Sequence, residues 1–273
     1  VRTRHRSDVG RRYLLSEITG TITDDQLEML AGSGVDGIAV FDAGRDVVER
    51  VLDVASGLSI TYLELDVPRI PQLPSDLLQG LEVLLLGGRY SRLLEVTSLR
   101  RIRSLTASRG VRTAGGFAAG SDVEQVALGH YDGTDLREVD GCARLASLKI
   151  QGRHQMLTPR WSAPPSQLTN LVVFDAYLST LEAMRGLPNL TGLEVDVSRR
   201  RRPLPWLDLH DLADCSKLEW LQLWRAAHLR GVDALAGLPA LTNVVVEEGG
   251  YEPVDLEGLP VTVVPARGVY RGL

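Results

Sequence analysis

Five histidines, two cysteines and one glycine-rich hexapeptide are the residues of this 273-residue chain with the best claim to chemistry. His130 and His154 stand near Tyr131, Asp132 and Arg153, and an imidazole beside a carboxylate and a phenol can pass a proton. Against that, none of His5, His130, His154, His210 and His228 pairs at H-x-x-x-H or with a cysteine cluster, so no metal is expected. There is no G-x-S-x-G elbow. No two carboxylates are set together at an apolar site, as acid–base chemistry would want. The histidines read as a solvated polar group on one rim, and an enzyme is the least favoured class. The hexapeptide GSGVDG, Gly32–Gly37, matches G-x-G-x-x-G. A dinucleotide loop follows a strand and opens a helix. Here a helical pattern precedes it and the strand-like IAVF follows, so the glycines mark a helix-to-strand turn and no cofactor is expected.

The elements around these residues follow one rhythm. The pattern apolar-x-x-apolar-x-apolar occurs at Val35/Ile38/Val40, Ile60/Leu63/Leu65, Leu81/Leu84/Leu86, Ile102/Leu105/Ala107 and Val123/Val126/Leu128. It continues at Leu145/Leu148/Ile150, Leu168/Leu171/Val173, Leu190/Leu193/Val195, Leu218/Leu221/Leu223 and Leu241/Val244/Val246. The steps between copies are 25, 21, 21, 21, 22, 23, 22, 28 and 23 residues, a near-constant period of the kind that solenoids show. Apolar residues spaced by three lead into many copies, as at Leu178, Leu181, Met184, Leu187 and Leu190. That spacing suits a short helix or 3₁₀ turn laid on the core. Each unit is then a strand, a turn and a helical return, and parallel strands joined this way take right-handed crossovers.

The units LTNLVVFDAYLSTLEAMRGLPN (Leu168–Asn189) and LPALTNVVVEE (Leu238–Glu248) resemble those of the leucine-rich-repeat family, and the resemblance covers roughly residues 34–265. It implies an α/β fold: a right-handed, curved solenoid with a parallel sheet on the concave face and short helices or 3₁₀ turns outside. It also implies that repeat positions one, four and six point into the core. One family feature is missing. Position nine, often asparagine in the family, is here Ala43, Pro68, Arg89, Gly110, Tyr131, Arg153, Ala176, Ser198, Ala226 and Gly249, so there is no asparagine ladder. Cys142 and Cys215 each precede a position-one leucine by three, the slot of Leu99, Leu187 and Leu238, and so read as small buried hydrophobes. They lie three repeats apart, about 14 Å at about 4.8 Å per strand. A disulfide needs Cα atoms within about 7 Å, so two buried, unbridged thiols are expected.

Positions three, five and seven form the concave face. The early repeats place Tyr62, Glu64, Asp66, Val83 and Leu85 there, the middle is small and polar with Ser104, Thr106, Ser108, Gln125 and Ala127, and Ser147, Lys149 and Gln151 follow. The C-terminal half concentrates aromatics and acids. In LEWLQLWR, Leu218–Arg225, the side chains of Trp220, Gln222 and Trp224 share the face that does not hold Leu221. With Phe174, Glu194, Asp196, Asn243 and Glu247 they form the candidate partner-binding set. Trp220, Trp224 and Phe174 are the expected anchors, and Glu194, Asp196 and Glu247 the groups that select a basic partner. The expected function is a non-catalytic scaffold for a protein or peptide. The alternatives are self-association as a homodimer and a role as a specific inhibitor or immunity-type binder.

Size and charge agree with this. Hydrophobic content is 44%, charged content 24% and formal net charge −5, which disfavours broad nucleic-acid binding and mildly favours basic partners. Runs such as Val83–Leu86 fall far short of a spanning helix, so no membrane role is expected. The start carries five arginines before Tyr13 with no apolar run after them, and reads as a frayed, solvated arm rather than a secretory signal. Two lysines beside twenty-eight arginines point to a GC-rich bacterial genome, with Val1 read as a GTG start and a cytoplasmic location expected. Residues 1–33 are expected as arm and cap, with TDDQLEMLA opening a helix through a Thr23/Gln26 capping box. Residues 34–260 form the repeats, and 261–273 a terminal strand and tail, the strand near Val261–Val264. The 28-residue step holds Arg199–Arg202 with Pro203 and Pro205, a solvated loop, and Trp206 and Trp161 are expected to pack locally.

Overall fold

In the computed structural model the chain is described over residues 1–108, 110–118, 120–197, 204–247 and 257–264. It divides into two compact units, Val1–His130 and Tyr131–Leu273. All ten repeat copies form strands, and each strand lies within positions three to seven of its copy. The residues at positions one, four and six are buried in every copy except Val35, which is half-buried. Burial of three side chains per coil, each stabilising by about 1.5–3 kcal/mol, is what makes the period legible.

In the first unit, strand β1 (Arg2–Asp8) pairs antiparallel with β2 (Arg11–Thr19). Strand β2 then pairs parallel with β3 (Gly37–Phe41), followed in order by β4 (Tyr62–Asp66), Val83–Leu86, Ser104–Ala107 and Gln125–Leu128. The second unit runs Ser147–Gln151, Asn170–Phe174, Gly192–Asp196, Trp220–Trp224, Asn243–Glu247 and Val261–Val264, all parallel. The terminal strand is therefore where the sequence places it.

The returns shorten along the chain. Helix α1 (Asp24–Ala31) opens with the expected capping box: Gln26 N donates to Thr23 Oγ1 at 3.3 Å, and Thr23 N donates to Gln26 Oε1 at 3.0 Å. Helix α2 (Arg45–Ser56) buries Val47, Val48, Val51, Leu52 and Ala55, one stripe at helical spacing. After the six-residue helix Ser75–Gly80 the returns become 3₁₀ turns, among them Glu182–Gly186 and Val232–Gly237. The first step, of 25 residues, holds the 12-residue α2, and the next, of 21, holds the six-residue helix Ser75–Gly80.

In place of asparagines, a backbone ladder at position two ties the coils together. Thr61 N donates to Asp36 O at 2.8 Å, Glu82 N to Thr61 O at 2.7 Å and Arg103 N to Glu82 O at 2.7 Å. The second unit repeats it from Thr169 to Ala146, Thr191 to Thr169, Glu219 to Thr191 and Thr242 to Glu219, at 2.8–2.9 Å. Where position two is threonine the hydroxyl adds a further donor to the same carbonyl, at 2.9 Å for Thr169, 3.0 Å for Thr191 and 3.1 Å for Thr242. Cys142 and Cys215 are buried thiols with no disulfide between them.

The arginine-rich start differs from the sequence expectation. It is a strand rather than a frayed arm, because its arginines meet carboxylates of the chain itself: Arg4 pairs with Glu17, Arg6 with Glu64 and Arg11 with Glu82. The β1–β2 turn, Val9–Gly10, has positive φ at both residues and reaches Arg103, whose guanidinium donates to Val9 O at 3.2 Å. Val9, Tyr13, Leu15, Ala39, Tyr62 and Val83 make a second apolar cluster under this hairpin. Tyr62 and Val83, expected on an open face, are fully buried by it.

Candidate functional site

The hexapeptide and the histidine group resolve first. Gly32 ends α1, Gly34 has φ +60°, and Gly37 begins β3, so the glycines make the helix-to-strand turn. A Cβ on Gly37 would lie 2.5 Å from Tyr62 Cβ, so this position admits no larger residue. Tyr131 is buried, and its hydroxyl donates to Glu138 at 2.6 Å rather than facing a histidine. Burial, and then the neighbouring Glu138, push that phenol well above its usual range. His154 sits in the left-handed region (φ +63°) with Nδ1 buried and unbonded. Tyr131 is thus a structural hydrogen-bonding group, and His154 a turn residue. Among the described residues no cluster of His, Cys, Asp and Glu is arranged to hold a metal, and no helix is long and apolar enough to cross a membrane.

The aromatic and acidic set of the second unit falls into three rows across consecutive strands. Asn170, Gly192, Trp220 and Asn243 are in register, as are Val172, Glu194, Gln222 and Val245, and as are Phe174, Asp196 and Trp224. All lie on the face opposite the buried Leu171, Leu193, Leu221 and Val244. Phe174, Glu194, Asp196, Trp220, Gln222 and Trp224 are half-buried and Asn243 is exposed.

Local contacts hold these side chains in place. Trp220 lies against Gly192: a Cβ there would come within 2.0–2.6 Å of the indole, so the glycine leaves the space the ring occupies. Trp224 Nε1 donates to Gln222 Oε1 at 3.4 Å. Lys149 Nζ stands 5.0 Å from the centre of the Phe174 ring, a cation–π contact of about 0.5–1 kcal/mol at such a site. Burial, and then the neighbouring Asp196, raise the Glu194 carboxyl above its usual value, while Lys149 pulls it down. Asp196 accepts from Arg225 at 2.7 Å, and Arg225 holds that position through a left-handed backbone at φ +53°.

Two expectations for this face need correction. Glu247 is 6% exposed and does not stand open to a partner; it occupies the last repeat strand, in register with Val264 of the added terminal strand. Asp196 is already half of an internal ion pair with Arg225, whereas Glu194, with Lys149 nearby, is in no such arginine pair among the described residues. Gly192 and Arg225 belong to the site and were not singled out by sequence, and Lys149, placed on this face by sequence, was not counted in the binding set. The one usable signal was Gly192, a glycine at position three immediately before a repeat with tryptophan at the same position.

Of the other two tryptophans, Trp161 packs locally, as expected, and Trp206 stays largely open. Trp161 Nε1 donates to Ala183 O at 3.2 Å. Trp206 remains 52% exposed but its ring lies 5.1 Å from that of His228, its register partner. The tetra-arginine stretch Arg199–Arg202 lies outside the described residues.

Strand, turn and 3₁₀ or helical return, repeated with parallel strands within each unit, define a leucine-rich-repeat solenoid fold of the α/β class. A solved structure agrees on the fold. An internalin (inlF) from Listeria monocytogenes superposes with a TM-score of 0.54 at 17% identity, over 85% of this chain and 72% of that one. An internalin C2 (inlC2) from the same species, also at 17% identity, covers 95% of this chain and 87% of that one at a TM-score of 0.35. No protein-family model matches the sequence, and no curated protein matches it significantly.

Proposed function

We propose that this protein is a non-catalytic interaction scaffold that binds a protein or peptide through the sheet face of its second unit. The observation that carries this reading is the contrast between the two units. In the first, the chain covers its own position-three and position-five residues with a hairpin; in the second, Phe174, Trp220 and Trp224 stand half-exposed on the equivalent face. Large aromatics held by neighbours but open on one side resemble the anchors of protein interfaces, whose truncation costs about 2 kcal/mol or more. Glu194, desolvated and beside Asp196, favours a partner that brings a positive charge.

The test is capture from source-cell lysate by the wild type beside a folded Trp220→Ala/Trp224→Ala variant. The expected result is a protein retained by the wild type and lost from the variant. Equal recovery by both sinks the proposal for this face. A concentration-dependent doubling of mass in the wild type alone would instead make the occupant a second copy.

A further inference from the structure

The first unit carries a second surface, on the strand-end side of its coils rather than on the sheet face. A groove of about 790 Å³ opens there, with Arg69, Arg89, Arg92 and Arg112 in its lining. Its volume falls in the range of roughly 300–1,000 Å³ typical of small-molecule pockets.

The arginines are placed by the repeat. The short strands Arg69–Ile70 and Arg89–Tyr90 pair in parallel, with Arg69 opposite Arg89 and Ile70 opposite Tyr90. Ile70 and Tyr90 turn inward and are buried, so both arginines turn outward. Tyr90 N donates to Gly110 O at 3.0 Å and so links the next coil, where Arg112 opens the strand Arg112–Ala114. Three successive coils therefore deliver guanidinium groups to one concavity.

None of the four arginines makes an ion pair with a described carboxylate, although the chain is acidic overall and pairs Arg4, Arg6, Arg11, Arg50 and Arg103 with its own acids. The one carboxylate in the groove lining, Glu49, is held by Arg45 at 2.8 Å on its own helix. Like charges directly opposite on paired strands destabilise a sheet, and Arg69 against Arg89 is such a pair with no acid between. An oxyanion seated there would remove the repulsion and accept the forked donors that suit phosphate.

We propose that this groove binds a small molecule carrying at least two phosphate groups. A concave site with its cations converging from three coils fits a compact polyanion better than an extended acidic peptide, which would need a charged track. The planar guanidiniums supply paired donors.

The experiment is calorimetric titration of the full chain with inorganic tripolyphosphate at fixed ionic strength, with a hepta-glutamate peptide as the second probe. The expected result is saturable binding of tripolyphosphate at one site per chain, tighter than that of the peptide. Arg89→Gln/Arg112→Gln should weaken it by about tenfold or more, since each removes a charge-assisted hydrogen-bonding group. Arg12→Gln/Arg100→Gln, the same change in net charge outside the groove, should leave it within about twofold, because screened surface charges act weakly at a distance. The inference is overturned by any of three results. One is no saturable binding up to about 10 mM, beyond which affinity is negligible. Another is equal weakening in both double variants, which would mean general charge attraction. The last is a peptide that binds more tightly than tripolyphosphate.

Discussion

Cys215 shows how a position in the repeat sets the chemistry of a side chain. It fills a slot that other coils give to leucine, is fully buried, and donates its thiol to Met184 O at 3.4 Å. Burial first, and then the nearby Asp214, push the thiol up to about 11 from an ordinary value near 9. In that interval the native chain keeps a proton that the unfolded chain has released. Stability from this group is therefore intact below about pH 9 and is lost as pH rises towards about 11, by up to about 1.4 kcal/mol per pH unit. Denaturant titrations of wild type and Cys215→Ala across that window check it: the stability advantage of the wild type should shrink with pH, and a constant difference would contradict the assignment. The burial of this residue was legible from spacing alone, and so was the face shared by Trp220, Gln222 and Trp224. The pairing of Asp196 with Arg225 was not, because it depends on a left-handed residue after the strand that an arginine does not advertise. The burial of Glu247 was not read either, although the terminal strand that pairs beside it was expected, because strand pairing alone does not say how far a position-seven side chain is covered.

At the scale of the element, the lateral backbone ladder at position two ties each coil to the next, and threonine hydroxyls add to it. Thr191 contributes its N–H at 2.8 Å and its hydroxyl at 3.0 Å to one carbonyl, that of Thr169. Thr191→Val keeps the shape and the backbone bond but removes the hydroxyl donor. The expected loss is about 1 kcal/mol of unfolding free energy, the net value of an ordinary hydrogen bond. Urea unfolding with an unchanged slope and a lower midpoint would bear this out, and an unchanged midpoint would mean that the hydroxyl is no more than a spectator. The strands and 3₁₀ returns were readable because each buries one face at a fixed spacing. Strand β1 was not: RTRHRSD has no apolar residue, so it carries no period to read, and its arginines find their reason only in Glu17, Glu64 and Glu82 of other strands.

At the scale of the molecule, each coil packs chiefly on its immediate neighbours, so stability is close to a sum of coils and their shared faces. Leu193→Ala, at a fully buried position four, should cost about 2–5 kcal/mol. Its effect should also be graded. Hydrogen exchange in the variant should speed most in Gly192–Asp196 and its partners Asn170–Phe174 and Trp220–Trp224, and least in strands further along the ladder. Uniform acceleration of every strand would mean a single all-or-none unit instead.

The hairpin at the start has one more consequence. It is an internal guest: a backbone segment of the same chain occupies the sheet face of the first unit through a basic residue on Glu64, an apolar tip among Tyr13, Tyr62 and Val83, and a second basic residue on Glu82. The molecule thus holds a worked example of what such a face accepts, a tight hairpin whose alternation of cation, hydrocarbon and cation spans its turn. A library of short peptides built on that alternation is the natural bait for the face that the chain leaves open.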